Sequence, residues 1–432
     1  MICIIIILTL LRQYRIDPMS ELKKVLIVTY YWPPAGGPAI QRTLKFVKYM
    51  RFFGWEPVIL TVENGEYPAI DPSLIQEIPD NIQVYKTKAF QPFQLYRMLT
   101  GKKGNTHNNA NVFGQKDKTF VERLAKWIRL NLFIPDARIG WYAYAVKAAK
   151  KIIEQEHIDL IYSSSPPHSL QLIAQKIAKQ NKIKWVADFR DPWSELVHYQ
   201  SYKRTWLTRK IDSHFEKSVF RSADRLVAAA NDYATCIKTH VDRKIEVIYN
   251  GYDPSDFPKP KSKNTEDFLI TYTGELSEDR IPHALLRALS RLEDSNIKLQ
   301  FIGNTCPELK QEIQQLNLGN KVILKPYMPH IASIAELQQS DLLLLVINQV
   351  ANGKGIVPGK IFEYLGTRKP ILCLGDPTGE AGEIIKTTNS GFCIAHHNEE
   401  EIFILLSRLS SGVLPSLSLS LIHISEPTRQ AE

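Results

Sequence analysis

The residues best placed to do chemistry fall within 354–374, where the chain reads KGIVPGKIFEYLGTRKPILCL. Pro358, Gly359 and Lys360 open a short apolar helix carrying Glu363, Gly366 ends it, and 370–374 reads as a strand. Proline suits a first helical turn, where its missing N–H would have no partner, and glycine lets a ligand approach the backbone. The unpaired amides and positive dipole end of such a start favour an anion, most naturally a phosphate. One turn in, Glu363 is placed to accept hydrogen bonds from hydroxyls attached to that phosphate, as a nucleotide diphosphate and its ribose would provide. The same residues also describe an ordinary amphipathic helix with Ile361, Phe362 and Leu365 buried and Glu363 solvated, and the stretch alone does not choose.

A scaffold must bring such residues together, and the chain alternates short apolar runs with helical patterns. Residues 25–29 (VLIVT) have the composition of a parallel strand covered on both faces. After 30–37 (YYWPPAGG) comes a helical pattern with Ile40, Leu44 and Val47 on one face, then Gly54 as its stop and a second strand at 57–62. This βαβ unit puts Gly36 and Gly37 in a loop at a strand's C-terminal end, where open α/β sheets bind ligands, although two glycines also make a plain turn. Strands at 159–163 and 184–188 run into SSSPPHS and DFRDPW, placing His168, Asp188, Arg190 and Asp191 at C-terminal strand ends. A lone histidine there can equally be a turn residue, and two acids flanking an arginine can pair among themselves.

Strands at 225–230 and 245–249 complete the first sheet. The following DPSDFPKPKSKNTED has no apolar period and reads as linker. Strands at 268–272, 299–303, 322–324, 341–346 and 370–374, with a helix at 282–292, repeat the alternation, so a second doubly wound parallel sheet is expected. Residues 66–114 give little signal, and 101–118 read as a mobile surface loop. The basic, aromatic stretch 120–152 is either a pair of ordinary helices with Lys and Arg on the wet side or a surface that holds anionic lipid.

At 432 residues the chain is too long for one ordinary core, and 44% hydrophobic with 23% charged residues is the balance of a globular protein, which excludes a disordered one. The excess of 54 Lys and Arg over 45 Asp and Glu, +9, suits an anionic partner: nucleotide, anionic lipid or nucleic acid. Cys3, Cys236, Cys306, Cys373 and Cys393 form no CxxC pair and no His-Cys metal spacing, as expected of buried thiols in a reducing cytoplasm. The apolar run MICIIIILTLL falls short of the roughly 20 residues a spanning helix needs. Residues 1–18 are expected to be a non-native upstream extension before a start at Met19, and 419–432 resemble a translated sequencing-library adapter following a helix-like segment at 399–409.

Together the motifs resemble those of the retaining glycosyltransferases of family four. GKIFEYLGTRKPIL is similar to their donor-binding signature, and the Gly-Gly loop, DFRDPW and NGYD occur in the family's order across roughly residues 19–410. The resemblance implies an α/β GT-B fold, two Rossmann-like doubly wound parallel-sheet domains facing a cleft: 19–251 on the acceptor side, a linker at 252–266, and 267–418 holding the donor. Residue by residue, it implies that Glu363 holds the ribose, that Gly36, Gly37, Gly274 and Gly359 lie against the donor, and that Lys360 and Arg280 neutralise its diphosphate. Glu275 stands where many members have arginine. His168 would contact the donor sugar, and Asp188, Arg190 and Asp191 would lie on the acceptor side. Many members carry a further acid eight positions before the one matching Glu363; Gly355 stands there, so one sugar contact is missing.

The implied enzyme is a hexosyltransferase moving sugar from a nucleotide-sugar to a glycan or lipid-linked acceptor, in lipopolysaccharide, capsule or exopolysaccharide synthesis. No DxD pair stands at a strand end, so a metal-independent site is expected, with no cofactor beyond the nucleotide-sugar substrate. The expected location is the cytoplasm, extending to the inner face of the membrane, with an anionic membrane surface as a further partner and nucleic acid excluded. Two alternatives share the architecture: a sugar-nucleotide epimerase, and a non-catalytic nucleotide-sugar-binding module, which Gly355 favours.

Overall fold

The computed structural model describes residues 22–67, 69–90, 120–194, 204–259, 263, 265–292, 296–350 and 353–412. The expected extension at 1–18, the polar run at 101–118 and the adapter-like tail at 419–432 lie outside them. The chain divides into two compact units, the first ending at Tyr249 and the second beginning at Asn250.

The first unit is built on seven strands: β1 (Lys23–Val28), β2 (Trp55–Val62), β3 (Gln83–Thr87), β4 (Leu160–Ser165), β5 (Lys184–Phe189), β6 (Arg225–Ala228) and β7 (Ile245–Val247). They pair in parallel in the order β3-β2-β1-β4-β5-β6-β7. The second unit orders its six parallel strands β10-β9-β8-β11-β12-β13, with β8 at Phe268–Thr273, β9 at Ile297–Ile302, β10 at Val322–Lys325, β11 at Leu342–Val346, β12 at Ile371–Leu374 and β13 at Gly391–Ile394. Helices connect successive strands, and a parallel sheet packed on both faces is why its central strands are near-continuous apolar runs. All five residues of β11, LLLLV, are buried.

β3 and β13, which apolar periodicity does not reveal, are both sheet edges. An edge strand has a neighbour on one side only, so β3 (QVYKT) has no fully buried residue and β13 (GFCI) has one. The described residues 252–259 of the stretch read as linker make contacts of their own. Asp253 accepts from Ser255 N–H (3.0 Å), starting a short turn at Pro254–Asp256, and the Tyr252 and Phe257 rings meet edge to face, 5.4 Å apart. Those rings explain Gly366. The helix Lys360–Thr367 continues through it and is closed by Arg368 in the left-handed region (φ 59°), but a Cβ at Gly366 would come within 2.5 Å of the Phe257 ring. Gly366 is there for space and not as a helix stop.

Chain order reverses between β1 and β4 in the first sheet and between β8 and β11 in the second. At such points neighbouring loops leave in opposite directions from the C-terminal strand ends, opening a crevice in which α/β sheets bind ligands.

Candidate functional site

In the second unit the residues following β8 and β11 meet across this switch point. Arg280 Nε donates to Asn348 Oδ1 (2.9 Å), the Asn348 amide donates to Asp279 (2.5 Å), and Arg280 also donates to the Glu275 carbonyl (3.3 Å). The guanidinium is thus held from both loops. Lys360, the first residue of its helix, reaches back to donate to the Thr273 carbonyl at the end of β8 (2.6 Å), with its Nζ 4.0 Å from the Tyr272 ring centroid. Gly274 makes room for it. Its φ of +112° is a conformation side chains rarely adopt, and a Cβ there would sit 3.0 Å from Lys360 Nζ.

Burial, reinforced by the Arg280 charge and only partly opposed by Glu363, pushes the Lys360 ammonium down to about 7. No side chain caps the start of this helix at Gly359, which is exposed. Glu363 Oε1 lies 2.9 Å from His330 Nε2, at the start of the helix His330–Gln339. Tyr364 anchors the helix from below, accepting from Thr273 N–H (3.2 Å) and donating to the Leu344 carbonyl (3.2 Å). Gly274, Arg280, Gly359, Lys360 and Glu363 therefore share one neighbourhood: two cations, a helix start and a carboxylate around the switch point. Asn348, His330 and Thr273 join them unannounced by any motif, because each is recruited by a tertiary contact.

In the first unit, Gly36 and Gly37 follow β1 as expected. Gly36 N–H donates to the Ala69 carbonyl (2.9 Å), which fixes the loop against 69–71. Gly37 (φ 95°) precedes the helix Pro38–Met50, with no atom within 4 Å of where a Cβ would stand. Near this loop, Arg138 of the basic, aromatic stretch donates to Glu66 (2.6 Å) and lies over the Tyr30 ring (5.0 Å to the centroid).

His168, Asp188, Arg190 and Asp191 are at strand ends, but their environments differ from those expected. Asp188 is 0% exposed, and its partner is Arg42 of the helix Pro38–Met50. Arg42 donates twice to its carboxylate (2.8 and 2.9 Å), as do the hydroxyls of Tyr162 (2.8 Å) and Ser164 (2.6 Å). Asp188 lies at the end of β5, where the β-sheet pleat turns its side chain into the core, and the carboxylate holds helix to sheet. Burial pushes this carboxyl up, and Arg42 with the hydroxyls more than compensates, holding it below the usual range. Arg190 does not substitute for Arg42. Its guanidinium donates to the carbonyls of Ser165 and Pro166, and burial lowers its pKa against the opposing pull of Asp191. His168 is buried and stacked on Trp193 (4.8 Å, 16° between planes), with neither ring nitrogen hydrogen-bonded among the described residues. Burial, with the nearby Arg190, pushes it down to about 3, so it is neutral at physiological pH.

Among the described residues no three or more His, Cys, Asp or Glu side chains gather as a metal site, and no helix is long and apolar enough to cross a membrane.

Two doubly wound parallel sheets, each with a switch point, define a class of α/β protein, and comparison makes the class specific. The family model Glycosyltransferase Family 4 matches residues 110–256, and the model Glycosyl transferases group 1 matches 254–411. The chain belongs to glycosyltransferase family four and has the GT-B fold. Among solved structures it is similar to Anabaena HepE in complex with UDP (15% identity, 90% of this chain and 92% of that one, TM-score 0.60). It is also similar to sucrose-phosphate synthase from Thermosynechococcus elongatus (11%, 90% of each chain, TM-score 0.58). The lipopolysaccharide outer core galactosyltransferase WaaB is a further likeness (13%, 91% of each chain, TM-score 0.53). No curated protein matches the chain in sequence.

Proposed function

We propose that this glycosyltransferase moves a hexose from a nucleoside-diphosphate sugar to a hydroxyl of a glycan or lipid-linked acceptor, with retention at the anomeric carbon. The observation that carries the donor half is the convergence of Lys360, Arg280, Glu363 and the uncapped helix start at Gly359 on one switch point. The diphosphate would lie against the helix start between the two cations, and the ribose hydroxyls would donate to Glu363. As the bond from the anomeric carbon to the phosphate oxygen breaks, negative charge grows on the leaving diphosphate. Lys360 and Arg280, already held in place, stabilise it without reorganising. The neutral His168, enclosed against Trp193, is poorly suited to proton transfer, and Arg190 and Asp191 are the acceptor-side candidates.

The likeness to the lipopolysaccharide outer core galactosyltransferase WaaB supports surface-glycan assembly, and the likeness to HepE in complex with UDP makes UDP the first nucleotide to test. The proposed location is the cytoplasm and the inner face of its membrane. Transfer is proposed to need no metal, the protein's own cations taking that part. A product with the donor's anomeric configuration, formed at full rate in the presence of a chelator, is the expected result; inversion or loss of rate on chelation overturns those two points.

Thermal melting against UDP, GDP, ADP and TDP tests the site directly. A nucleotide at a hundred times its dissociation constant adds about 2.7 kcal/mol of stability. Hydrogen bonds to a charged group are worth about 1.5–3 kcal/mol, so Glu363→Ala is expected to weaken the best nucleotide by about 10- to 150-fold. No shift with any nucleotide would sink the donor site.

Binding is also expected to depend on pH through Lys360. Its pKa is about 7 with the site empty, and a bound diphosphate raises it, so binding takes up a proton above pH 7. The dissociation constant then rises with pH by at most about tenfold per unit between 7 and the higher, bound-state value, and levels off below 7, where Lys360 is already charged. Isothermal titration in buffers of different ionisation enthalpy measures that proton, and Lys360→Met should abolish it.

A further inference from the structure

A groove of about 1190 Å³ crosses the first unit without touching any residue of the proposed sugar-transfer machinery. It is bounded by the start of the helix Tyr142–Glu156, the solvent side of the helix Ser169–Asn181, and the later turns of the helix Trp206–Ser222. It reaches Lys184 and Trp185 where β5 begins, the end of that strand opposite Asp188. Its lining is mostly apolar, with Leu172, Ile183, Trp185 and Phe215, the Gln175 amide is satisfied by Ser218 and Ser222 (2.9 and 2.8 Å), and exposed Phe90 and Tyr144 rings also line it.

One rim carries a single sign of charge. Lys176, Lys179 and Lys182 follow one another at three-residue spacing, all exposed and without an ion-pair partner among the described residues, whereas Lys184 is paired with Asp224 (2.8 Å). An apolar trough with a basic rim complements a molecule that is apolar along its length and anionic at its head. A free phosphate would have no use for the floor.

The surroundings favour a lipid over an acidic peptide. Ile134, in the groove wall, follows the helix Phe120–Asn131, which exposes Leu124 and Trp127, and Leu132 beyond it is 64% exposed. Asn131 accepts from Thr205 N–H (2.7 Å), which brings that helix end beside exposed Trp206 and Leu207, with Arg209 and Lys210 exposed next to them. Tryptophans among leucines and cations are the side chains of a membrane–water boundary.

We infer that this groove seats the chain of an anionic lipid, its phosphate on Lys176, Lys179 and Lys182, while the neighbouring Trp127 and Trp206 rest in the bilayer surface. The inference rests on the membrane part of the function proposed above and needs no sugar transfer, so it is measured without donor.

The test is sedimentation of the whole chain with vesicles of phosphatidylcholine alone or mixed with phosphatidylglycerol. Binding to the mixed vesicles only, unmoved by millimolar inorganic phosphate, is expected. Each lysine near an anionic surface is worth about 1 kcal/mol, so the triple variant Lys176→Glu, Lys179→Glu, Lys182→Glu should bind at least about 100-fold more weakly. Ala143→Trp and Ala178→Trp fill the groove without changing charge and should each weaken binding by about tenfold or more. Melting temperature and its shift with UDP report the fold and the donor site in every variant. The inference is overturned if the wild type ignores anionic vesicles, if the triple variant binds like wild type, or if both fillers bind like wild type, since surface charge alone would then hold the lipid. A lost UDP shift with vesicle binding intact would count against the donor site and leave the groove standing.

Discussion

Lys360→Met is expected to lower kcat by about 100- to 1000-fold, the loss typical when one preorganised donor to developing negative charge is removed. The geometry concentrates that role on this side chain: its ammonium is fixed by the Thr273 carbonyl (2.6 Å) and the Tyr272 ring (4.0 Å), so no reorganisation is needed as the diphosphate departs. Methionine keeps the apolar stem and removes the charge. Lys360→Arg should not rescue activity, because the site fits a compact ammonium within 3.0 Å of the Cβ position of Gly274, leaving no place for a planar fork. Steady-state kinetics decide the point. A fall in kcat with KM changed less places the charge in the transition state; a change in KM alone makes Lys360 a binding residue, and a loss smaller than tenfold removes it from the diphosphate altogether.

The second large effect is on stability and belongs to the first unit. Asp188→Ala leaves Arg42 charged, 6% exposed and stripped of its carboxylate, and breaking a buried pair on one side costs about 3–5 kcal/mol. Domains of this kind are stable by about 5–15 kcal/mol, so the urea midpoint should fall steeply. Arg42→Met with Asp188→Leu removes both charges and should recover much of the loss. If the single and double variants are equally unstable, the pair's surroundings, and not its charge, hold the helix Pro38–Met50 to the sheet. The carboxyl is held below its ordinary 3.8, so the pair's contribution is present above that pH and is lost as pH falls through the lower, native value.

The two charged clusters show how differently sequence speaks of a site and of a core. Around Glu363, the residues that carry chemistry are close together in the chain or follow a strand end directly, and the parallel-sheet pattern already dictates where strand ends go. DFRDPW contains acids and an arginine side by side, but Asp188 takes Arg42 from 146 residues away, and Arg190 also donates to a backbone carbonyl.

By itself the sequence determined the alternation of buried strands and helices, hence two doubly wound sheets, and the helix start between Pro358 and Glu363. Both are local, written in runs of apolar residues and in helix-start chemistry. Only the tertiary structure decided the edge strands β3 and β13, whose half-exposed faces carry no apolar period. It alone set Gly366 beneath two aromatic rings, His330 and Asn348 beside Glu363 and Arg280, and the lysine-rimmed groove. Each of these rests on contacts between segments distant in the chain, and the energy of such a contact is invisible until folding has closed the loop between them.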